Sequence, residues 1–133
     1  MKSIKKFYYL SVFYLILGLS SGVFFREFTK FKGFTGKTVL NTLHSHVLIL
    51  GFVFFIIVMI LEKLFLTSTH KYNKTFLVTY NLGLILLIIS MLIRGVSEVI
   101  GKEFVLAHMS GLGHAILGLG FIFFMMNLYD SIK

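Results

Sequence analysis

The sequence contains no cysteine and no proline among its 133 residues, and it is poor in charged side chains. Without cysteine the chain forms no disulfide, no iron–sulfur cluster and no thiolate metal site. Charged residues make up 14% of the chain and hydrophobic residues 57%, whereas a soluble domain is roughly a quarter charged. Together with a mean hydropathy of +0.92, this excludes a soluble globular protein and a disordered one.

Acidic residues are scarcer than basic ones. The chain has 5 Asp plus Glu against 13 Lys plus Arg, which gives a formal net charge of +8. The basic residues lie in short clusters between long apolar runs, as they do at the flanks of membrane spans. They are too thinly spread for a nucleic-acid surface. We therefore expect membrane lipid, and no nucleic acid, as a partner of this chain.

Four long runs of the sequence carry no charged residue at all. They cover residues 7–25, 38–61, 75–93 and 104–129 and are between 19 and 26 residues long. A helix needs about 20 apolar residues to cross the hydrocarbon layer, and apolar residues that are continuous rather than alternating disfavour strands. The sequence predicts an all-α integral membrane protein with four transmembrane helices in a single domain over residues 1–133.

The first run has the form of a signal peptide, because Lys2, Lys5 and Lys6 precede it. At 19 residues it is longer than the usual apolar core of such a peptide, so we expect a retained helix. Basic residues are almost evenly divided between the two sides of the predicted membrane, and orientation is weakly specified. We expect both termini in the cytoplasm and the chain in a bacterial plasma membrane.

The predicted spans contain no Asp, Glu, Lys or Arg. This excludes a small proton-coupled exporter, which needs an intramembrane carboxylate, and makes a voltage sensor improbable. Four histidines remain: His44 and His46 in the second span, His108 and His114 in the fourth. Buried histidine in lipid is costly without a partner. Spans two and four run in the same direction, and at about 1.5 Å per residue all four histidines fall in one half of the membrane.

The spacing of the histidines indicates which way they face. Residues two apart on a helix point about 200° apart, so His44 and His46 serve opposite sides of the second span. His108 and His114 are about 120° apart. This disfavours a compact three-histidine ion site and suits ligands that approach a large flat cofactor from different helices. His108 and His114 could also complete a site within the chain.

Small residues beside these histidines provide space. Ala107, Gly111, His114 and Gly118 form a stripe on the fourth span, and Gly113 and Gly120 form a second one. Gly51 follows His44 by seven residues and lies on the same face. Such residues let helices approach closely, or leave room for a flat macrocycle.

Basic residues on the histidine side of the membrane suit the carboxylates of a haem. Arg94 lies on that side, where a guanidinium would favour a haem propionate.

The segment from Thr42 to Phe52, with its His44-Ser45-His46 pair, resembles the tenth helix of the haem-copper oxidase catalytic subunit. In that family one histidine of an His-x-His pair binds the high-spin haem and the other binds the low-spin haem. Here Gly51 comes one residue early, and the further histidines and tyrosine of the family's copper site are missing. The family's twelve helices form three arcs of four, which implies that a four-helix chain would assemble as a homotrimer.

The whole chain is also similar to a small, functionally uncharacterised family of four-span bacterial membrane proteins. The His-x-His of helix two and the Gly-x-Gly-His of helix four, here Gly111 to His114, recur in that family. This resemblance implies no activity.

Three functions fit these features. The first is a membrane protein that binds haem b through His44, His46, His108 and His114, for electron transfer or for binding or chemistry of O2 or NO, with quinol or a redox protein as partner. Whether it is an enzyme, which would be a haem-dependent oxidoreductase, stays open. The second is a copper or zinc binder, since imidazole suits both ions. The third is a structural helper subunit of a membrane complex.

Overall fold

A computed structural model describes residues 2–103 and 107–133 of the chain. It contains four long helices, which we label α1 (Lys2–Phe31), α2 (Leu40–Phe65), α3 (Asn73–Ile100) and α4 (Ala107–Ser131). A 3₁₀ turn, Thr67–Thr69, connects α2 to α3. The described part of the chain is helical apart from its connections, and four helices are long and apolar enough to cross a membrane.

The helices do not stop where the charge-free runs stop. α1 and α3 extend past both ends of their runs, so that Arg94 and Glu98 lie within α3. α2 starts at Leu40 and continues past Glu62 to Phe65. Charged residues at a membrane surface do not end a helix, because their side chains reach water while the backbone keeps its hydrogen bonds. Residues 104–106, where the fourth run begins, lie outside the described residues.

Glycines let neighbouring helices approach within each of two antiparallel pairs. In the α1–α2 pair, a Cβ atom on Gly18 would lie 2.6 Å from Leu48 Cδ2. In the α3–α4 pair, a Cβ on Gly113 would lie 2.9 Å from Leu87 N, and one on Gly120 would lie 2.7 Å from Tyr80 Cα. The Gly113 and Gly120 stripe of α4 is therefore the face that packs on α3.

Aromatic rings and polar contacts join the two pairs. Phe54 of α2 contacts Phe121 and Phe124 of α4, with ring centroids 5.4 and 5.2 Å apart, and stacks on Tyr80 of α3 at 4.3 Å. Asn127 Nδ2 donates to the Thr67 carbonyl at 2.9 Å and ties the end of α4 to the α2–α3 connection.

We call the end of the molecule that holds the α1–α2 connection the outer end, following the expected orientation. There the start of α2 is anchored on α3. Val39 N donates to Glu98 Oε2 at 2.8 Å, and Thr38 Oγ1 donates to the Gly95 carbonyl at 3.0 Å. The carboxylate satisfies a backbone amide that has no partner within its own helix.

α2 contains a seven-residue π-helical segment, Val47–Val53, which starts directly after His46. Phe54 N donates to the Ile49 carbonyl, five residues back, and regular α-helix continues from Phe54 to Phe65. π-helical turns are rare and occur frequently at functional sites. The hydropathy pattern of the sequence contains no signal for this segment.

Candidate functional site

One wall of the candidate site is the face of α2 that carries His46. His46, Leu50 and Phe54 follow each other at four-residue intervals, which is close to one helical turn. The Leu50 carbonyl accepts a hydrogen bond from Tyr80 Oη at 2.8 Å, and Phe54 stacks on Tyr80. This face of α2 is therefore directed towards α3 and α4.

The other wall is the flank of α4 that carries His114. His114 precedes Phe121 by seven residues, so the two side chains share one face of α4. Phe121 contacts Phe54 of α2, and α2 and α4 run parallel. His46 and His114 thus both lie about two turns, roughly 10 Å, on the outer side of the Phe54–Phe121 contact. We call this region, on the outer side of the Phe54–Phe121 contact and flanked by His46 of α2 and His114 of α4, the α2–α4 cleft.

The two cleft histidines have the same hydrogen-bond arrangement. His46 Nδ1 lies 2.9 Å from the Thr42 carbonyl, and His114 Nδ1 lies 2.7 Å from the Ser110 carbonyl. A carbonyl oxygen only accepts, so each Nδ1 carries the proton. In the neutral ring Nε2 then presents a lone pair, and within the described residues neither Nε2 has a hydrogen-bond partner. Metal-bound histidines typically have their second nitrogen fixed in this way.

His44 lies on the other side of α2. Its ring faces α1, where a Cβ on Gly22 would sit 3.6 Å from His44 Cβ. His44 Nδ1 is buried without a partner among the described residues, and Nε2 lies 3.5 Å from Ser45 Oγ. As the spacing predicts, His44 and His46 face opposite sides, and the structure does not bring them to one point.

α4 leaves much of its histidine-bearing surface uncovered. Gly111 and Gly118 have open space around them, since a Cβ on either would meet nothing within 4 Å among the described residues. His114 is exposed between them, and His108 is exposed nearer the outer end. His108 lies on a face about 120° from His114.

The other predicted cofactor-binding residues have packing partners. Gly51 does lie on the α1 side of α2, as its spacing from His44 predicts, but the Tyr14 side chain fills the room beside it. Arg94 Nε donates to Glu98 Oε1 at 3.0 Å, with the Arg94 side chain half exposed at the outer end of α3. One N–H group of the Arg94 guanidinium is therefore already bonded to the Glu98 carboxylate.

A surface groove runs along the α2 wall of the cleft. It has a volume of about 260 Å³ and is lined by Ser45, His46, Ile49 and Leu50. This is below the roughly 300–1,000 Å³ of ordinary ligand pockets. Within the described ranges, no three His, Cys, Asp or Glu side chains come together as the ligands of a small metal ion. The arrangement is an open one, with two imidazoles on separate walls.

The sequence pattern shows only part of the role of Tyr80. From the sequence alone, Tyr80 and its neighbour Asn81 can either bond helices together or line a path, and the structure shows that both bond α3 to another helix. Tyr80 Oη donates to the Leu50 carbonyl of α2, and Asn81 Oδ1 accepts from Tyr14 Oη of α1 at 2.7 Å. The link from Tyr80 to the π-helical segment depends on tertiary contacts, and spacing along the chain does not indicate it.

Comparison with known proteins supplies a family and no activity. A family model described as "Protein of unknown function (DUF2871)" matches residues 4–131. No curated protein and no solved structure matches the chain. The expectation of an uncharacterised family is confirmed by a match that covers nearly the whole chain.

Proposed function

The chain belongs to the DUF2871 family, and from the site itself we propose that it is a membrane protein that binds haem b through intramembrane histidines. The observation that carries this proposal is the arrangement of His46 and His114. Both hold Nδ1–H on a backbone carbonyl, neither Nε2 has a hydrogen-bond partner among the described residues, and both lie on the outer side of the Phe54–Phe121 contact. His46 and His114 are the first candidates for the residues that would hold the haem iron.

The residues present fit such a cofactor. A neutral imidazole with Nε2 free is the form that ligates haem iron. Gly111 and Gly118 leave open space beside His114, which a flat macrocycle could use. The alternative of a copper or zinc site has less support, since the described residues gather no three-ligand group. An imidazole exposed on an apolar, membrane-facing surface is costly, so a purely structural role leaves the exposed His108 and His114 unexplained.

The dimensions of the groove favour a site completed by a second copy of the chain. About 260 Å³ beside His46 is too little to enclose a haem, and the surface of α4 around Gly111, His114 and Gly118 is uncovered. We propose a homo-oligomer, with a homotrimer favoured by the resemblance of helix two to the haem-copper oxidase helix. A ring closed by identical heterologous contacts is physically allowed. His44 and His108 are then candidate ligands at faces that the cleft does not use.

Haem bound by two imidazoles supplies one-electron transfer, and haem with one open face supplies binding of a small gas such as O2 or NO. The chain's own residues bind and orient the group. Thr42 and Ser110 carbonyls fix the rings of His46 and His114, and the apolar walls exclude water. The four membrane-length helices take up most of the described chain, so the proposed reactant is quinol, a small gas or a redox protein. The proposed location is a bacterial plasma membrane.

Absorption spectroscopy of the purified protein tests this function. We expect a Soret band, with sharp split α and β bands after dithionite reduction, from protein made in cells supplied with a haem precursor. Replacing His46 or His114 by Ala should reduce haem content at least tenfold or open a site that binds carbon monoxide. His70→Ala, in the α2–α3 connection, is the matched control and should leave the spectrum unchanged.

A featureless wild-type spectrum under these conditions would contradict the haem proposal. Stoichiometric copper or zinc in the same sample, measured by elemental analysis, would then favour the metal-ion function. If neither is bound and a four-histidine-to-glutamine variant still assembles, the helper-subunit function is favoured instead.

A further inference from the structure

The π-helical segment Val47–Val53 determines where His46 points. In an unbroken α-helix, eight residues turn through two full turns plus about 80°, so His46 would lie about 80° from the direction of Phe54. A π-helical turn takes up about one extra residue, or about 100° of rotation. With it, His46 comes back to within about 20° of the Phe54 face. The direction of the His46 side chain towards the α2–α4 cleft therefore depends on the π-helical geometry.

The same segment is clamped from two sides. On one side, the Tyr14 side chain of α1 packs directly on Gly51. On the other, Tyr80 of α3 donates its hydroxyl to the Leu50 carbonyl at 2.8 Å. In a π turn the backbone hydrogen bonds change from the i+4 to the i+5 pattern and then change back. A hydrogen-bond donor from another helix stabilises a carbonyl oxygen inside such a segment.

Tyr80 is itself held rigidly. It is fully buried, with no exposed surface. Its ring stacks on Phe54 at 4.3 Å with the planes 16° apart and meets Phe121 edge to face at 5.1 Å. Gly120 of α4 approaches the Tyr80 backbone so closely that a Cβ there would lie 2.7 Å from Tyr80 Cα. The hydroxyl is thus placed by packing, and it has little freedom to follow a moving Leu50.

We infer that Tyr80 is a positioning residue for the ligand His46. Its hydroxyl holds the Leu50 carbonyl, this bond stabilises the π segment, and the π segment turns the His46 ring towards the cleft. Tyr80 itself touches no cofactor. This inference rests on the proposed function for its chemical meaning, but the geometric link from Tyr80 to His46 exists without haem.

The chain offers a matched pair of variants to test it. Tyr80→Phe removes the hydroxyl and keeps the buried ring. Tyr14→Phe makes the same change in an equally buried tyrosine, whose hydroxyl binds the Asn81 side chain and no backbone carbonyl of the π segment. We expect Tyr80→Phe to weaken haem binding about tenfold, as loss of an outer-shell partner commonly does, and to shift the low-spin haem signals in electron paramagnetic resonance. Tyr14→Phe should change neither.

A second readout uses the protein without haem. The His46 ring signals in NMR, assigned by their loss in His46→Gln, should shift in Tyr80→Phe and stay in place in Tyr14→Phe. Equal effects of the two variants on haem affinity or on these ring signals would overturn the inference. If wild-type protein binds no haem, the proposed function fails, while a shift confined to Tyr80→Phe still supports the positioning of His46.

Discussion

Glu62 is a buried carboxylate near the inner end of α2, with 3% of its surface exposed. Oε2 accepts from Thr67 Oγ1 at 2.9 Å and from Ser68 N at 2.7 Å, while Oε1 accepts from Ser68 Oγ at 2.6 Å. These bonds close the turn after Leu66, a non-glycine residue at φ +51°, a conformation that costs roughly 1–2 kcal/mol. In the charge pattern of the sequence, Glu62 only marks the end of the second charge-free run. In the structure it stabilises the α2–α3 connection.

Replacing Glu62 by Gln should therefore destabilise the protein. The amide keeps one acceptor oxygen but turns an NH2 group towards donors, so at least one charge-assisted hydrogen bond is lost, at a cost of about 1.5–3 kcal/mol. The free energy of unfolding, from SDS titration in mild detergent, measures the change. Glu27→Gln is the control, because Glu27 is exposed and its contact with Arg26 is a surface pair at 3.7 Å. A loss as large for Glu27→Gln would refute the role of the buried network.

Among the helices, α4 has two faces that carry glycines, and the two faces differ in their surroundings. One face, with Gly113 and Gly120, meets the α3 backbone, and Gly83 of α3 meets the α4 backbone at Leu117. The other face, with Gly111 and Gly118, is open as far as the described residues are concerned. Close backbone approach requires glycine on the first face, while on the second face the small residues only leave space.

Alanine substitutions distinguish the two faces. Gly83→Ala should destabilise the α3–α4 pair by roughly 1–3 kcal/mol, because the added methyl meets backbone atoms that cannot rotate away. Gly118→Ala should leave the free energy of unfolding unchanged within about 0.5 kcal/mol. Both are measured by the same SDS titration. Equal destabilisation by the two variants would mean that the open face is covered by another part of the folded chain.

For the whole molecule, the proposed assembly leads to a prediction about mass. Native mass spectrometry from mild detergent should give a particle three times the 15.2 kDa of one chain. A larger side chain on the open face, as in Gly111→Leu, should shift this particle towards the single chain, because copies could no longer approach there. A monomer or dimer that binds haem at full occupancy would contradict the trimer and leave the haem proposal standing.

Hydropathy and charge determined the number of helices, since apolar runs of membrane length have few other stable conformations. They did not determine the ends of the helices. α1 begins at Lys2 and α3 continues past Glu98, and both residues lie outside the charge-free runs. Helical spacing placed His44 and His46 on opposite sides of α2. It did not show that the second glycine stripe of α4 packs on α3 while the first stays open among the described residues, because both stripes contain two glycines seven residues apart.

The sequence by itself determined an all-helical chain with four helices able to span a membrane, and it placed four histidines in one half of that span. Only the tertiary structure decided what surrounds each of them. The π segment rotates His46 by about one residue relative to an ideal helix, and the Phe54–Phe121 contact sets α2 beside α4. The π segment contacts Tyr14 and Tyr80, and the Phe54–Phe121 pair packs against Tyr80. These tyrosines are distant along the chain, so no local pattern encodes the two features.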